Sequence, residues 1–501
     1  MNVIVVVNDS LRVDQLGCYQ PVAPNALATR IETPRIDAFA RECALFENAY
    51  TEGLPTMPTR TAWFTGRYTF PFRGWQRLED GDVTLAEWLW ARGFASALVS
   101  DVYHLHKPGM NLSRGFDHVQ FVRGQESDLY RYRWDAPDDV SDTAIDRHYK
   151  PRGDESDATW RPKNAQYLRN MALRQAEEDY PLAQTVRAGL EWLDRQVSRG
   201  RTHGLLLWLD CFDPHEPWDA PDEITRRFVD AGYLARGGLD LIDANGGPVA
   251  GYLTPDELQH LRNRYAAEVG FVDRWLGRFL DGVRQLGLFD TSLIVWTSDH
   301  GHPFGDHGVI KKVPALPYEE LAHVPLLVRH PEGWGAGRRF QAFVQPPDLF
   351  PTILDLAGLP APAEALGFAG GRRWDVSAGA WVPRREGERQ EQEGQGILHG
   401  RSLLPLLRGE EPDSLAPRDN PRRAFAYSGL YRRAWAVRTR DWTYVEHLTA
   451  GGRGARVRTA GPRELFQRSD DLREQRNVVA QEPRVADELE LHLRRFVAAL
   501  S

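Results

Sequence analysis

The sequence predicts an α/β fold: a large mixed, mostly parallel sheet flanked by helices, followed by a small C-terminal antiparallel sheet with one helix. Two observations predict it. Residues 2–7, 204–210 and 293–297 are apolar runs without the polar alternation of a half-wetted strand. Each suits a strand buried on both faces at the centre of a parallel sheet. Residues 423–447, by contrast, alternate as three short strands, and Ala486–Leu500 repeats with the period of an amphipathic helix.

Taken in order, the first strand ends at Asn8-Asp9-Ser10. Ligands of open α/β sheets gather at the carboxyl ends of strands, which places Asp9 for chemistry; an aspartate that only caps a turn fits the same position. Residues 33–50 carry apolar side chains at helical spacing through Ile36, Phe39, Ala40 and Cys43, an amphipathic helix running into a short strand. The stretch T-E-G-L-P-T-M-P-T-R-T-A-W-F-T-G-R, residues 51–67, comes next. Proline suits the first turn of a helix and glycine its end, so a helix runs from near Met57 to Gly66. Thr56 then sits where free backbone N–H groups and the helix dipole favour an anion, and Arg60, one turn on, could reach the same anion with its planar fork. A hydroxyl, an anion-binding helix end and an arginine together suggest transfer of a phosphate or sulfate group. An ordinary helix capped by threonine fits these residues too.

Residues 84–92 form a helix, and Ala95–Ser100 a strand. Residues 125–182 are polar, aromatic and rich in Asp and Arg, with little periodicity; they read as an insertion over the active-site face. Its helical end, Ala165–Ala176, leads into a helix over Ala183–Val197. Prolines after the 204–210 strand put Asp213, His215 and Glu216 on a loop at a strand's carboxyl end. A histidine there, with an ordinary pKa near neutrality, suits a general acid. A long helical pattern covers residues 253–286. The strand Leu293–Thr297 then leads to Asp299-His300 ahead of a glycine-rich loop, good metal-ligand chemistry.

The chain has 501 residues, room for two or three average domains or one large domain with an appendage. Hydrophobic residues at 42% and charged residues at 26% are ordinary for a soluble globular protein, and a net charge of −8 gives no basic field for nucleic acid. No apolar run reaches the length of a membrane span, and Val3–Val7 lacks the basic flank and cleavage site of a signal peptide. Three widely spaced cysteines, Cys18, Cys43 and Cys211, argue against a disulfide framework and for a reducing cytoplasm. The expected partner is a small anionic ester, with no nucleic acid or membrane; a homo-oligomer stays open.

Several of these motifs resemble the sulfatase family of the alkaline phosphatase superfamily. Its nucleophile signature, Cys or Ser followed by X-Pro-Ser-Arg and later Thr-Gly-Arg, stands here as Thr56-Met57-Pro58-Thr59-Arg60 with Thr65-Gly66-Arg67. N-D-S-L-R-V-D resembles the first metal motif, with Ser10 where many sulfatases have a second Asp. T-S-D-H-G-H-P-F-G-D-H-G, at 297–308, resembles the second almost letter for letter. His104 matches a family histidine, Val102 replaces the lysine of Gly-Lys-Trp-His-Leu, and His106 and Lys107 lie close enough in sequence to substitute for it. His215 matches the histidine of F-x-P-H-x-P, and Lys312, with Lys311 second, matches the lysine that binds the transferred group. The resemblance implies a catalytic domain over 1–362, a loop or disordered insertion at 363–399 and a C-terminal subdomain at 400–501. It also implies one divalent metal held by Asp9, Asp299 and His300 with Thr56 at its edge, while Arg60, His104, His215 and Lys312 hold the transferred group and assist the leaving group. Mn²⁺, Mg²⁺, Zn²⁺ and Ca²⁺ suit such ligands, and His300, where calcium sulfatases more often have Asn, points away from Ca²⁺. Sulfatases convert Cys or Ser to formylglycine, and threonine cannot be so converted. The expectation is therefore a phosphodiester or phosphonate ester hydrolase using Thr56. A sulfuric ester hydrolase without formylglycine and a non-catalytic anion-binding protein are the alternatives.

Overall fold

A computed structural model describes residues 1–29, 31–131, 140–312, 316–359, 398–448 and 462–500, and the backbone of 372–375 and 380–383. Two main sheets are built from β1 (Asn2–Asn8), β2 (Ala44–Phe46), β3 (Gly53–Leu54), β4 (Ala95–Ser100), β5 (His118–Phe121), β6 (Leu205–Cys211), β7 (Ser292–Thr297), β8 (Leu326–Arg329), β9 (Arg339–Phe340), β10 (Ala426–Leu430), β11 (Ala434–Arg438), β12 (Trp442–His447) and β13 (Arg463–Gln467). The helices packed on them include α1 (Pro34–Ala40), α2 (Thr56–Thr65), α3 (Leu85–Trp90), α4 (Pro181–Ser198), α5 (Pro255–Gln285), α6 (Leu349–Leu356) and α7 (Pro483–Ala499).

The large sheet runs β9-β2-β8-β7-β1-β6-β4-β5. β7, β1, β6, β4 and β5 are parallel, and β8 is antiparallel to both of its neighbours. The apolar runs are two-sided for a visible reason. Ile4 and Val6 of β1, Leu205, Leu207 and Leu209 of β6 and Ile294 and Trp296 of β7 enter a core shared with α1, α4 and α5. Val3, Val5 and Val7, Leu206 and Trp208, and Leu293 and Val295 enter a second core on the opposite face, with α2, α3 and α6. Side chains alternate across each strand, and helices cover both faces, so no position in these strands can be polar without cost.

The second sheet runs β13-β12-β11-β10-β3, with α7 packed on it. It draws its edge strand from residues 53–54, immediately ahead of α2, and β3 pairs parallel to β10. The C-terminal sheet is thus not built from C-terminal residues alone. β13 is an addition to the three strands expected here; its sequence, R-E-L-F-Q, is a short strand embedded in a run of charge. The 125–182 region holds more helix than its expected helical end, Ala165–Ala176. It holds helices Asp142–His148 and Asp157–Met171, and the second buries only Asn164, Ala165, Tyr167 and Asn170, too small and polar a face to show as periodicity. The expected loop at 363–399 lies largely outside the described residues; Arg372–Asp375 and Ala380–Pro383 pair as an antiparallel hairpin. Among the described residues no helix is long and apolar enough to cross a membrane. All three cysteines are free.

Candidate active site

The parallel register of β7, β1 and β6 determines what meets at their carboxyl ends. Val7 lies opposite Thr297 on one side and Asp210 on the other. Two residues beyond Val7 and Thr297 stand Asp9 and Asp299, so three aspartates line the end of three adjacent strands. All are fully buried. Arg60, one turn into α2, reaches across them. Its Nε and Nη2 donate to the two oxygens of Asp210 (3.0 and 2.6 Å), and Nη1 donates to Asp299 Oδ2 (2.5 Å) and to the Thr56 carbonyl (3.2 Å). Nη2 also pairs with Asp9 Oδ2 at 3.2 Å. Every donor of the guanidinium faces the protein, and the group is itself fully buried. The sequence placed this fork on the bound anion; the structure directs it to carboxylates.

α2 begins at Thr56 itself, with Pro55 as its cap, one residue ahead of the expected start. It ends at Gly66, whose φ of 66° only glycine adopts readily. Thr59 Oγ1 donates to the Gly53 carbonyl at 2.6 Å and to the Asp299 carbonyl at 3.2 Å, fixing the helix against β3 and the β7 loop. Thr56 Oγ1 lies 3.3 Å from His300 Nε2 and accepts from Lys312 Nζ at 3.1 Å. Lys312 Nζ also lies 3.2 Å from His300 Nε2 and 3.7 Å from Asp9 Oδ1. Of the two candidate lysines, Lys312 is therefore the one at Thr56. Lys311, with φ of 66°, turns away and its Nζ pairs with Asp243 (2.6 Å) and Glu216 (3.3 Å).

The electrostatics follow from burial. Burial alone would raise the Asp9 carboxyl, but Lys312, Arg60, His215 and His300 outweigh it and hold it well below the usual range. Asp299 is pushed up to about 6 by burial and by the nearby Asp9 charge. His300 is pushed down to about 3 by burial and by Lys312. Its Nδ1 donates to the Gly301 carbonyl at 2.7 Å, so Nε2 presents a lone pair. Ligand atoms of Asp9, Asp299 and His300 lie within 4.8 Å of one another. Asp9 Oδ2 is buried and accepts no hydrogen bond, and the Lys312 ammonium already rests against Thr56, His300 and Asp9. Two carboxylates, a neutral imidazole and a hydroxyl that gather a cation fit a divalent metal ion. Ser10 adds no charge here: its Oγ donates to Asp9 Oδ1 at 2.8 Å and its N–H to Asp299 Oδ1 at 3.0 Å.

Two predicted residues remain, His104 and His215. His104 Nε2 lies 2.9 Å from Glu126 Oε2, and the Trp75 ring stands edge-on to it at 4.8 Å. Neither neighbour takes the place of the lysine lost at Val102: His106 stacks on Phe121 at 4.4 Å, and Lys107 lies over Tyr103 at 4.7 Å. The His215 ring lies tilted against Phe212, centroids 4.0 Å apart, and its Nδ1 donates to the Glu216 carbonyl at 2.7 Å. Burial lowers its pKa, against the pull of Glu216. Asp210 had gone unremarked in the sequence, although it carries the same signal as Asp9, an acid at the end of a buried strand. Asp243 and Glu126, both far along the chain, carried none.

The sulfatase family model matches residues 1–359, well over half of the chain. The chain belongs to the sulfatase family. Arylsulfatase K of Bos taurus is 24% identical, covering 99% of this chain and 81% of the relative. Iduronate 2-sulfatase of Mus musculus is also 24% identical, over 87% of this chain and 79% of its own. Among solved structures, the phosphonate monoester hydrolase of Agrobacterium radiobacter superposes with a TM-score of 0.64 at 20% identity, covering 99% of this chain and 96% of that one. A structure with its substrate D-glucosamine-2-N,6-O-disulfate superposes at 0.65 and 19% identity, covering 100% and 98%. This sulfatase-family chain is thus an ester-hydrolysing enzyme on a fold shared with hydrolases of both sulfate and phosphonate esters.

Proposed function

We propose that this sulfatase-family protein is a metal-dependent hydrolase that cleaves a phosphodiester or phosphonate ester through Thr56. The observation that carries the reading is the Thr56 hydroxyl, at the first turn of α2, 3.1 Å from Lys312 Nζ and 3.3 Å from His300 Nε2. Asp9, Asp299, His300 and Thr56 would hold one divalent ion, which supplies charge neutralisation and lowers the pKa of the hydroxyl. Lys312 and His104 orient the equatorial oxygens, and Arg60 holds the three carboxylates in place. Thr56 Oγ1 bonds to phosphorus as the bond to the leaving oxygen breaks, and the proton lost from Oγ1 ends on the departing alcohol. Water then attacks the same phosphorus, breaking its bond to Oγ1 and releasing the acid. Threonine is what favours phosphorus over sulfur, because a formylglycine hydrate has a second hydroxyl to expel the sulfate and threonine has none. The substrate is a small anionic ester, and three free thiols suit a reducing cytoplasm. Sulfate ester hydrolysis from the same hydroxyl is the second reading, favoured by the names of the sequence relatives.

The test is a metal-supplemented assay of wild type and Thr56→Ala on matched nitrophenyl esters: phosphodiester, phosphonate, phosphomonoester and sulfate. Turnover of phosphodiester or phosphonate, lost in Thr56→Ala, is expected. Thr56-dependent turnover of the sulfate alone would make the protein a formylglycine-free sulfatase. Binding of these esters without turnover of any would overturn the enzymatic reading.

A further inference from the structure

A cavity of about 20 Å³ lies between the 125–182 insertion and the loop after β6, and none of its lining residues has a part in the chemistry proposed for Thr56. The helix Asp157–Met171 supplies Trp160, Lys163 and Asn164 to its walls, the loop supplies Glu216, and Glu126 and Asp243 complete it. We infer that this cavity binds a primary ammonium group, with the Glu216 carboxylate as its acceptor.

The acceptor is a buried carboxylate oxygen without a donor. Glu216 is 6% exposed, and its Oε2 accepts no hydrogen bond. Each neighbour that could supply one is committed or too far. His215 Nδ1, 3.3 Å from Oε2, has its proton on the Glu216 carbonyl at 2.7 Å. His302 Nδ1, at 3.6 Å, is beyond hydrogen-bonding range. Lys311 Nζ sits 3.3 Å from the other oxygen, Oε1, and is shared with Asp243 at 2.6 Å. Two buried carboxylates thus divide one ammonium, which leaves negative charge in excess at Glu216. Lys163 does not offset it: its Nζ rests over the Trp160 ring at 4.8 Å and makes no ion pair with Glu216. A carboxylate in that state is stabilised most by a partner that both carries positive charge and donates a hydrogen bond.

Size and access choose among cations. A volume of about 20 Å³ is little more than one water molecule needs, so the group that enters is a primary ammonium and not a guanidinium or a trimethylammonium. Asn164, Glu216 and Asp243 are buried, whereas Glu126, Trp160 and Lys163 are half-buried, so the alkyl arm of the amine leads out past the tryptophan. Glu126 holds its carboxylate there from a left-handed backbone, φ 50°, and lies 2.9 Å from His104 Nε2. On the other side, Lys311 precedes Lys312, whose Nζ is 3.1 Å from Thr56 Oγ1. Those two contacts tie the cavity to residues of the candidate active site, so the amine has two sources: the ester itself, or a free amine that modulates the enzyme.

Calorimetric titration of the metal-supplemented enzyme in an amine-free buffer tests the site without depending on the chemistry at Thr56. Propylammonium should bind saturably, and tetramethylammonium and propanol should bind more weakly by about tenfold or more, the scale of one charge-assisted hydrogen bond. Glu216→Gln keeps the shape and removes the charge, and should weaken propylammonium by about the same factor. Absence of saturable propylammonium binding, which would leave the cavity to a water molecule, would overturn the inference. So would equal binding of the three probes, or undiminished binding by Glu216→Gln. The three probes decide on the wild type alone should Glu216→Gln not fold. A matched pair of nitrophenyl phosphodiesters, one with an aminoethyl and one with a propyl substituent, then identifies the source of the amine; this arm alone rests on the ester-hydrolase reading. A KM about tenfold lower for the aminoethyl ester, with propylammonium as a competitor, assigns the ammonium to the substrate. Equal KM values, with propylammonium changing kcat on the propyl ester, assign it to a free amine. Silence on both esters would count against the phosphodiester reading and leave the calorimetric result standing.

Discussion

Arg60→Met distinguishes an arginine that organises the site from one that binds substrate. In the structure one guanidinium serves Asp9, Asp210 and Asp299, with no donor left for a ligand. Breaking a buried ion pair by removing one partner costs about 3–5 kcal/mol, and three carboxylates are stranded here, so a loss of about 5 kcal/mol is expected. At about 2 °C per kcal/mol for a large domain, Tm should fall by about 10 °C. The loss should shrink toward pH 5. Without the guanidinium the folded-state carboxyl pKa values rise above their unfolded values, the native state takes up protons, and stability is regained as pH falls. Arg60→Lys keeps the charge but lacks the fork, and should lie between the two. Calorimetry at pH 5 and pH 7.5, paired with KM and kcat, is the assay. A variant that melts within about 2 °C of wild type and shows only a raised KM would refute the reasoning and return Arg60 to the substrate.

Three other outcomes are expected from the same geometry. Lys312→Met should fold normally and lose kcat by about 100-fold or more, the scale for removing one preorganised donor, measured with the preferred ester. Chelation should abolish turnover, and titrating a divalent ion back should restore it while adding about 2.7 kcal/mol of stability at a concentration 100 times its Kd, seen as a rise in Tm. His307 joins the β7 loop to the loop after β13, with Nδ1 2.7 Å from Glu320 and Nε2 2.7 Å from the Glu474 carbonyl. Burial would lower its pKa, but Glu320 outweighs it and raises it to about 9. Its stabilisation, about 3 kcal/mol by linkage from an unfolded value near 6.5, is therefore full below pH 6.5 and lost as pH rises through 9. The stability gap between wild type and His307→Gln, read by denaturant melts, should close between those pH values.

What the sequence disclosed, and what it hid, reflects one physical division. Strand β1 was legible because both of its faces are buried, so Val3–Val7 had no freedom to be polar. Asp9 and Asp299-His300 were legible because an acid at the end of such a strand has few other reasons to be there. The targets of Arg60 were not, since they stand 150 and 239 residues away and meet it only through strand register. The division of labour between Lys311 and Lys312 turns on a single positive φ at a lysine, which side-chain chemistry does not announce. His215 was correctly placed on a strand-end loop, but its protonation is set by burial and by Glu216.

The charges of the buried centre bear on the choice of substrate. Asp9, Asp210 and Asp299 contribute three negative charges, Arg60 and Lys312 two positive ones, and His300 is neutral, leaving one negative charge in excess. Asp299, with a pKa near 6, is ionised at neutral pH, so the count holds there. A single divalent ion would turn the excess into one positive charge. A phosphodiester, a phosphonate monoester and a sulfate ester are each monoanions and would neutralise it. A phosphate monoester, a dianion at neutral pH, would leave an uncompensated negative charge beside buried carboxylates, where such a charge is costly. A second cation would be needed to accept it, and the described His, Cys, Asp and Glu residues assemble one metal-binding group, not two. Charge therefore sets phosphomonoesters apart from the other three ester classes. On the Thr56 reading, what would separate sulfate from the remaining two is the second step, where a threonine ester has to be cleaved by water.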